Sequence, residues 1–61
     1  MKELLLLRKS LMLTQEEMAH KIGVSNSYYS KVEGGFKLAG RGFINKFIKT
    51  FPNIDSNIFF K

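Results

Sequence analysis

The chain has 61 residues, enough for a single domain over residues 1–61 and too few for two hydrophobic cores. Ten Lys and Arg residues against five Asp and Glu residues give a formal charge of +5, which favours a polyanionic partner, although the charge could serve solubility alone. The absence of Cys excludes disulfides and thiolate metal sites. The longest apolar run, residues 4–7, is far shorter than the ~18 residues of a membrane span, so we expect a cytoplasmic protein that binds no membrane.

Two helices are predicted in the N-terminal half. Leucines recur at helical spacing over residues 2–11 and predict the first helix. Thr14 and Glu17 form an S/T-x-x-E capping box, in which each side chain accepts a hydrogen bond from a free N–H of the first turn, so a second helix is predicted to begin at Thr14. Gly23, which can adopt a positive φ, is expected to end it.

The second half continues the helical pattern. Ser25 is a good N-cap for a third helix, which is predicted to run to Glu33. A fourth helix is predicted over residues 41–51, before Pro52, and residue 55 or 56 could cap a last short turn. No stretch alternates with period two for long enough to indicate a strand. The sequence therefore predicts an all-α fold of four or five short helices, with the second and third forming a helix-turn-helix unit.

Most of the large apolar side chains are expected in the core, because so small a chain has little surface to bury. Leu5, Leu6, Phe59 and Phe60 could either fill this core or form a self-association patch outside it. The expected core comprises Leu4, Leu7, Leu13, Met18, Ala19, Ile22, Val24, Tyr29, Val32, Phe43, Ile44, Phe47, Ile48, Ile58 and Phe59.

No residue pattern indicates catalysis. His20 is the only His, and no second ligand or nucleophile is spaced to join it. The glycines at 35 and 40 lack the Gly-Lys-Ser/Thr of a phosphate loop, because Arg41 and Gly42 stand there. We therefore expect no enzyme, no metal site and no cofactor.

The third helix has one face suited to DNA. At 100° per residue, Tyr29 and Val32 point one way, while the polar residues Asn26, Ser27, Ser30 and Lys31 point the other. Slim polar side chains let a helix approach the major groove, where Asn can pair with adenine and Lys with guanine. Taken alone, the same face could be merely solvated.

Two ordered segments carry a family resemblance: LTQEEMAHKIGVS, residues 13–25, and YSKVEGG, residues 29–35. They resemble the phage-repressor family of Cro and CI type, also named after xenobiotic-response-element regulators, with its pattern L-T-Q-x-x-L-A-x-x-x-G-V-S followed by S-x-h-E-x-G. The likeness extends over nearly the whole chain. It implies a lambda-repressor-like fold that binds double-stranded DNA.

The resemblance implies roles at matching positions. Gln15 matches a phosphate-contacting residue that also braces the third helix, and Tyr28 a flanking phosphate contact, with packing against helix two as its alternative. Lys37 could neutralise phosphate or be a solvated loop residue, and Arg41 matches a cation that approaches the DNA backbone or minor groove. Three positions on the third helix match base-reading residues. The expected DNA-binding set is Gln15, Ser25, Asn26, Ser27, Tyr28, Lys31, Lys37 and Arg41.

Arg8 and Glu33 match an ion pair of the family that joins helix one to the end of helix three. Both lie beside expected core residues, where a partly buried charge needs a partner. Two unrelated surface charges are the alternative.

The sequence departs from the family pattern at three places. Gly34 replaces a common Asn, Met12 stands where Gly often ends helix one, and Gly40 replaces a common Pro before helix four. Because residues 34–42 contain four glycines, this loop is expected to be mobile until DNA binds.

Together these features predict a sequence-specific transcriptional regulator, and more narrowly a repressor, that reads DNA with residues 25–33. One such helix covers few base pairs, so we expect a homodimer on a palindromic operator. The alternative is a protein-interaction module on the same scaffold, such as an anti-repressor, an antitoxin-like partner or an adaptor.

Overall fold

Helices make up most of the structure, a computed structural model that describes residues 1–59. No strand occurs within this range, so the predicted all-α fold is confirmed. The last predicted apolar residue, Phe60, lies outside the described residues. The elements are α1 (Lys2–Ser10), α2 (Gln15–Ile22), α3 (Asn26–Glu33), α4 (Arg41–Thr50) and a closing 3-10 turn (Ser56–Phe59).

Side-chain caps fix the start of α2. The Thr14 hydroxyl accepts a hydrogen bond from the Glu17 N–H at 3.1 Å, and the Glu17 carboxylate accepts one from the Thr14 N–H at 2.9 Å. The hydrogen bond from the Thr14 N–H to the carboxylate, assisted by the nearby Thr14 hydroxyl, lowers the pKa of Glu17 below its ordinary value, because it favours the ionised form. The predicted capping box is present in full.

A left-handed glycine and a second cap produce the sharp turn between α2 and α3. Gly23 has φ 97°, and its N–H donates to the Ala19 carbonyl oxygen at 2.8 Å. The Ser25 hydroxyl then accepts from the Tyr28 N–H at 3.1 Å, so only three residues separate α2 from α3. This short connection makes α2 and α3 a helix-turn-helix unit.

The core is aliphatic on α1 and α2 and largely aromatic on α3 and α4. The Phe47 ring lies 5.1 Å from the ring of Phe51 and 4.9 Å from that of Phe59, centre to centre. Such tilted and edge-on pairs are favourable geometries for aromatic rings. The buried apolar residues are Leu4, Met18, Ala19, Ile22, Tyr29, Val32, Phe43 and Phe47.

A second group of apolar side chains is half-buried and closes the sides of this core. Five of them were expected in the core, while Met1, Tyr28, Ala39, Phe51 and Ile54 were not. The group consists of Met1, Leu7, Leu13, Val24, Tyr28, Ala39, Phe51, Ile54, Ile58 and Phe59.

The prediction that Ile48 belongs to the core is wrong, because its side chain is 41% exposed. Ile48 lies 100° around α4 from the buried Phe47, and the large rings of Phe43 and Phe47 fill the space beneath the helix. Ile44 is only half-buried for the same reason. Two aromatic side chains on one face therefore define the buried side of α4.

Candidate nucleic-acid interface

The outer face of α3 is polar and open. Asn26, Ser27 and Lys31 are exposed, whereas Tyr29 and Val32 on the opposite face are buried in the core. The exposed side chains include a short amide and a short hydroxyl, so little bulk separates the helix from a partner surface. This shape allows an α-helix to lie in a DNA major groove.

An ion pair fastens the end of α3 to α1. The Arg8 guanidinium donates from Nε to Oε2 of Glu33 at 2.9 Å and from Nη2 to Oε1 at 3.0 Å. Its third nitrogen, Nη1, donates to the Leu13 carbonyl oxygen at 2.8 Å, at the entry to α2. One side chain therefore links three segments of the fold.

Gln15, the first residue of α2, joins the same network. Its amide nitrogen Nε2 donates to Oε1 of Glu33 at 3.3 Å, and the side chain is half-buried. The bond ties the first residue of α2 to the last residue of α3. The two helices of the helix-turn-helix unit are thus connected at their far ends as well as through their turn.

The network keeps Glu33 ionised although it is buried. Burial alone would raise the pKa of the Glu33 carboxyl, but the hydrogen bonds from Arg8, with smaller contributions from the nearby Tyr29 hydroxyl and from Gln15, outweigh that effect and hold the pKa below its ordinary value. The same pairing with Glu33 raises the pKa of Arg8. The neighbouring Tyr29 hydroxyl is buried without a hydrogen bond of normal geometry among residues 1–59, and this burial raises its pKa.

Tyr28 contacts the loop and α4. Its hydroxyl accepts a hydrogen bond from the Gly40 N–H at 3.2 Å, and its ring centre lies 5.9 Å from that of Phe43. The Lys37 ammonium lies 5.3 Å from the centre of the same ring. The structure therefore brings Tyr28, Lys37 and the start of α4 together beside α3.

The remaining residues that the sequence predicts to contact DNA lie at the starts of α3 and α4 and in the loop between these helices. Arg41 and Lys37 are exposed. Arg41 is the first residue of α4, and the N-cap residue before it, Gly40, has no side chain to cap the helix. Ser25 is exposed, and its hydroxyl is engaged in capping α3. Sequence reasoning did not foresee that Lys46 Nζ donates to the Gly23 carbonyl oxygen at 3.1 Å, a bond that spans two elements distant in the chain.

The loop between α3 and α4 presents apolar side chains to solvent. Phe36 is 87% exposed and Leu38 is 92% exposed. The Phe36 ring folds back over Gly34, where an added Cβ would lie 3.0 Å from a ring carbon. A side chain at position 34 would therefore displace the exposed Phe36 ring by a few tenths of an ångström.

A helix-turn-helix family model matches residues 4–39, more than half of the chain. The chain belongs to the Cro/CI-type helix-turn-helix family. No curated protein and no solved structure matches it. The match contains all of α2 and α3, and all of the expected DNA-binding residues except Arg41.

Members of this helix-turn-helix family are DNA-binding transcriptional regulators, which is the general function of the chain. Among residues 1–59, no His, Asp or Glu cluster could hold a metal ion. Within the same residues, no helix is both long and apolar enough to cross a membrane.

Proposed function

We propose that this protein is a sequence-specific DNA-binding repressor that reads the major groove with α3. The observation that carries the proposal is the open face of α3, on which Asn26, Ser27 and Lys31 are exposed opposite a buried apolar face. Repression would follow from occupancy, because a protein bound over a promoter blocks other proteins from the same groove.

Each residue on this face has a distinct chemical use. The Asn26 amide can donate to and accept from adenine, Lys31 can donate to the two acceptors of guanine, and the Ser27 hydroxyl suits several base edges. Phosphate contacts position the helix without reading sequence. They are proposed for Gln15, Ser25, Tyr28, Lys37 and Arg41.

The hydrogen-bond network at Glu33 supports this separation of base-reading residues from phosphate-contacting residues. Gln15 is anchored to Glu33 through its amide nitrogen, while Glu33 is itself fixed by Arg8. A phosphate bound at Gln15 would therefore set the position of α3 in the groove. Preorganised contacts of this kind raise affinity because less side-chain freedom is lost on binding.

We propose that two copies bind a palindromic operator, with half-sites about one helical turn (~34 Å) apart. One recognition helix covers too few base pairs for useful specificity. The exposed Phe36 and Leu38 offer apolar surface that a second copy could cover. The free protein is expected to be mainly monomeric and to pair on its operator.

The decisive test is selection of bound sequences from a random DNA pool, followed by binding measurements on variants. Asn26→Ala and Lys31→Ala should each relax base choice at defined positions, at a cost of about 1–3 kcal/mol. Gln15→Ala should weaken all sequences alike. Lys49→Ala, which removes an exposed cation at the far end of α4, is the control for loss of charge alone.

Altered sequence preference in Gln15→Ala, with preference intact in both α3 variants, would show that the reading face is misassigned. Salt dependence provides a second measurement. A subunit that neutralises three or four phosphates should give a logarithmic salt slope of about −3 to −4, and a dimer about twice that. A shallow slope on a single asymmetric site would contradict the dimer, and sedimentation of the free protein tests its monomeric state.

A protein-interaction module is the second candidate, and the exposed loop favours it. Phe36 and Leu38 would be ordinary anchors for a protein partner, because large exposed apolar side chains mark interaction sites. Binding of the wild-type protein to random duplex DNA at low salt discriminates the two. A DNA-binding repressor shows salt-sensitive binding, whereas a pure protein binder shows none.

A further inference from the structure

Three contacts converge on the side chain of Tyr28, and each comes from a different part of the loop and α4. The Gly40 N–H donates to its hydroxyl, the Lys37 ammonium lies over its ring, and the Phe43 ring packs beside it. Tyr28 itself is in the first turns of α3, adjacent in sequence to Ser27. Its side chain therefore attaches the C-terminal end of the loop and the start of α4 to α3.

The backbone of the loop reinforces this attachment at one end. The N–H groups of Phe36 and Lys37 both donate to the Lys31 carbonyl oxygen, at 2.9 and 3.2 Å. The other end of the loop is attached through Gly40 to Tyr28. Residues 34–40 are thus held on α3 at both ends, although three of the seven are glycines.

The position of Lys37 over the Tyr28 ring lowers the conformational-entropy cost of a contact with phosphate. A Lys side chain normally loses much conformational freedom when it is fixed on a phosphate. An ammonium held over an aromatic ring is already localised, and it keeps N–H donors for a second partner. Lys37 can therefore contact a phosphate oxygen from the position that it already occupies.

We propose that Tyr28 is a positioning residue whose ring holds Lys37, and whose hydroxyl holds the start of α4, in the geometry that contacts the DNA backbone. This inference rests on the proposed DNA-binding function and adds to the phosphate contact proposed for Tyr28 a second role that acts through Lys37 and Gly40. The Tyr28 ring contacts Lys37, and the Tyr28 hydroxyl contacts Gly40. Different substitutions at position 28 can therefore remove the hydroxyl alone or the whole aromatic ring.

The test compares Tyr28→Phe, Tyr28→Leu, Lys37→Gln and the double variant Tyr28→Leu/Lys37→Gln in salt-titrated binding to random duplex DNA. Lys37→Gln should reduce the magnitude of the salt slope by about 0.9, the value for one phosphate. Tyr28→Leu should reduce it by the same amount, and the double variant should go no further. Tyr28→Phe keeps the ring and should keep the slope, while hydrogen exchange of the Gly40 amide becomes several-fold faster.

Nuclear magnetic resonance of the free protein keeps the proposal falsifiable if Tyr28→Leu does not fold. The terminal methylene protons of Lys37 should show an upfield ring-current shift in the wild-type protein and in Tyr28→Phe. Absence of that shift overturns the proposal, as does an additive loss of slope in the double variant. If the slopes are additive while Asn26→Ala still relaxes base choice, only the role of Tyr28 is wrong. If the wild-type protein binds no DNA, the proposed function fails and this role fails with it.

Discussion

Arg8 and Glu33 lie 25 residues apart in the chain and form a two-pronged ion pair beside the core. Glu33 is only 6% exposed, so its charge would be costly without a partner. The pair connects α1 to the end of α3 and, through Gln15, to the start of α2. The orientation of the proposed recognition helix therefore depends on contacts made at Glu33, its last residue.

A double-mutant cycle should detect strong coupling between Arg8 and Glu33. Arg8→Ala leaves a buried carboxylate unpaired and should cost about 3–5 kcal/mol of unfolding free energy, against about 0.2–1 kcal/mol for an exposed pair. Arg8→Lys keeps the charge but not the two-pronged geometry, and should recover only part of the loss. Urea denaturation measures the free energy of unfolding of each variant, and Lys9→Ala, at the exposed neighbouring position, is the control. A coupling energy near zero would show that the two charges act independently.

Stability should fall in acid because of Glu33. Its pKa in the folded protein lies below the ordinary value of 4.5, so the unfolded chain takes up the proton first as the pH decreases. The stabilisation is fully present above that value and is lost as the pH falls through the folded pKa. Denaturation between pH 7 and pH 2 should show this loss, and Glu33→Gln should flatten the curve. Glu17→Gln is a useful comparison, because Glu17 also has a lowered pKa but is exposed. Equal acid sensitivity in wild type and Glu33→Gln would contradict the assignment.

Two adjacent residues of α4 should respond very differently to truncation. Phe47 is fully buried, so Phe47→Ala should cost about 3–5 kcal/mol, enough to unfold most of a domain of this size. Ile48 is 41% exposed, and Ile48→Ala should cost less than about 1 kcal/mol. Circular dichroism during thermal unfolding measures both. Similar losses for the two variants would mean that α4 is rotated relative to the described packing.

Met12 should be replaceable by glycine with a gain in stability. It has φ 60° in the turn that follows α1, a left-handed conformation that costs a residue with a Cβ roughly 1–2 kcal/mol, and its side chain is 90% exposed. Met12→Gly should therefore stabilise the fold by up to about 1 kcal/mol, after allowance for the greater freedom of glycine in the unfolded chain. Met12→Ala retains the Cβ and should show no such gain. An equal effect of the two substitutions on the urea midpoint would refute backbone strain as the cause.

Much of the fold could be predicted from the sequence, because the signals are local. The Thr14–Glu17 capping box, the left-handed Gly23 and the Ser25 cap each involve residues within four positions of one another. Such interactions depend on backbone geometry that a helix end imposes by itself. Local sequence signals therefore predict the helix boundaries, and with them the exposed face of α3, without any tertiary contact.

The tertiary structure decided which apolar side chains are covered and what the polar ones contact. Ile48 was expected in the core and is exposed, because the rings of Phe43 and Phe47 occupy the space beneath α4. Phe51 and Ile54, which follow α4, pack against the core instead. The Tyr28–Gly40 bond likewise depends on where α4 begins relative to α3. Contacts between residues distant in the chain arise only once the helices have packed together, so neither spacing nor composition could specify them.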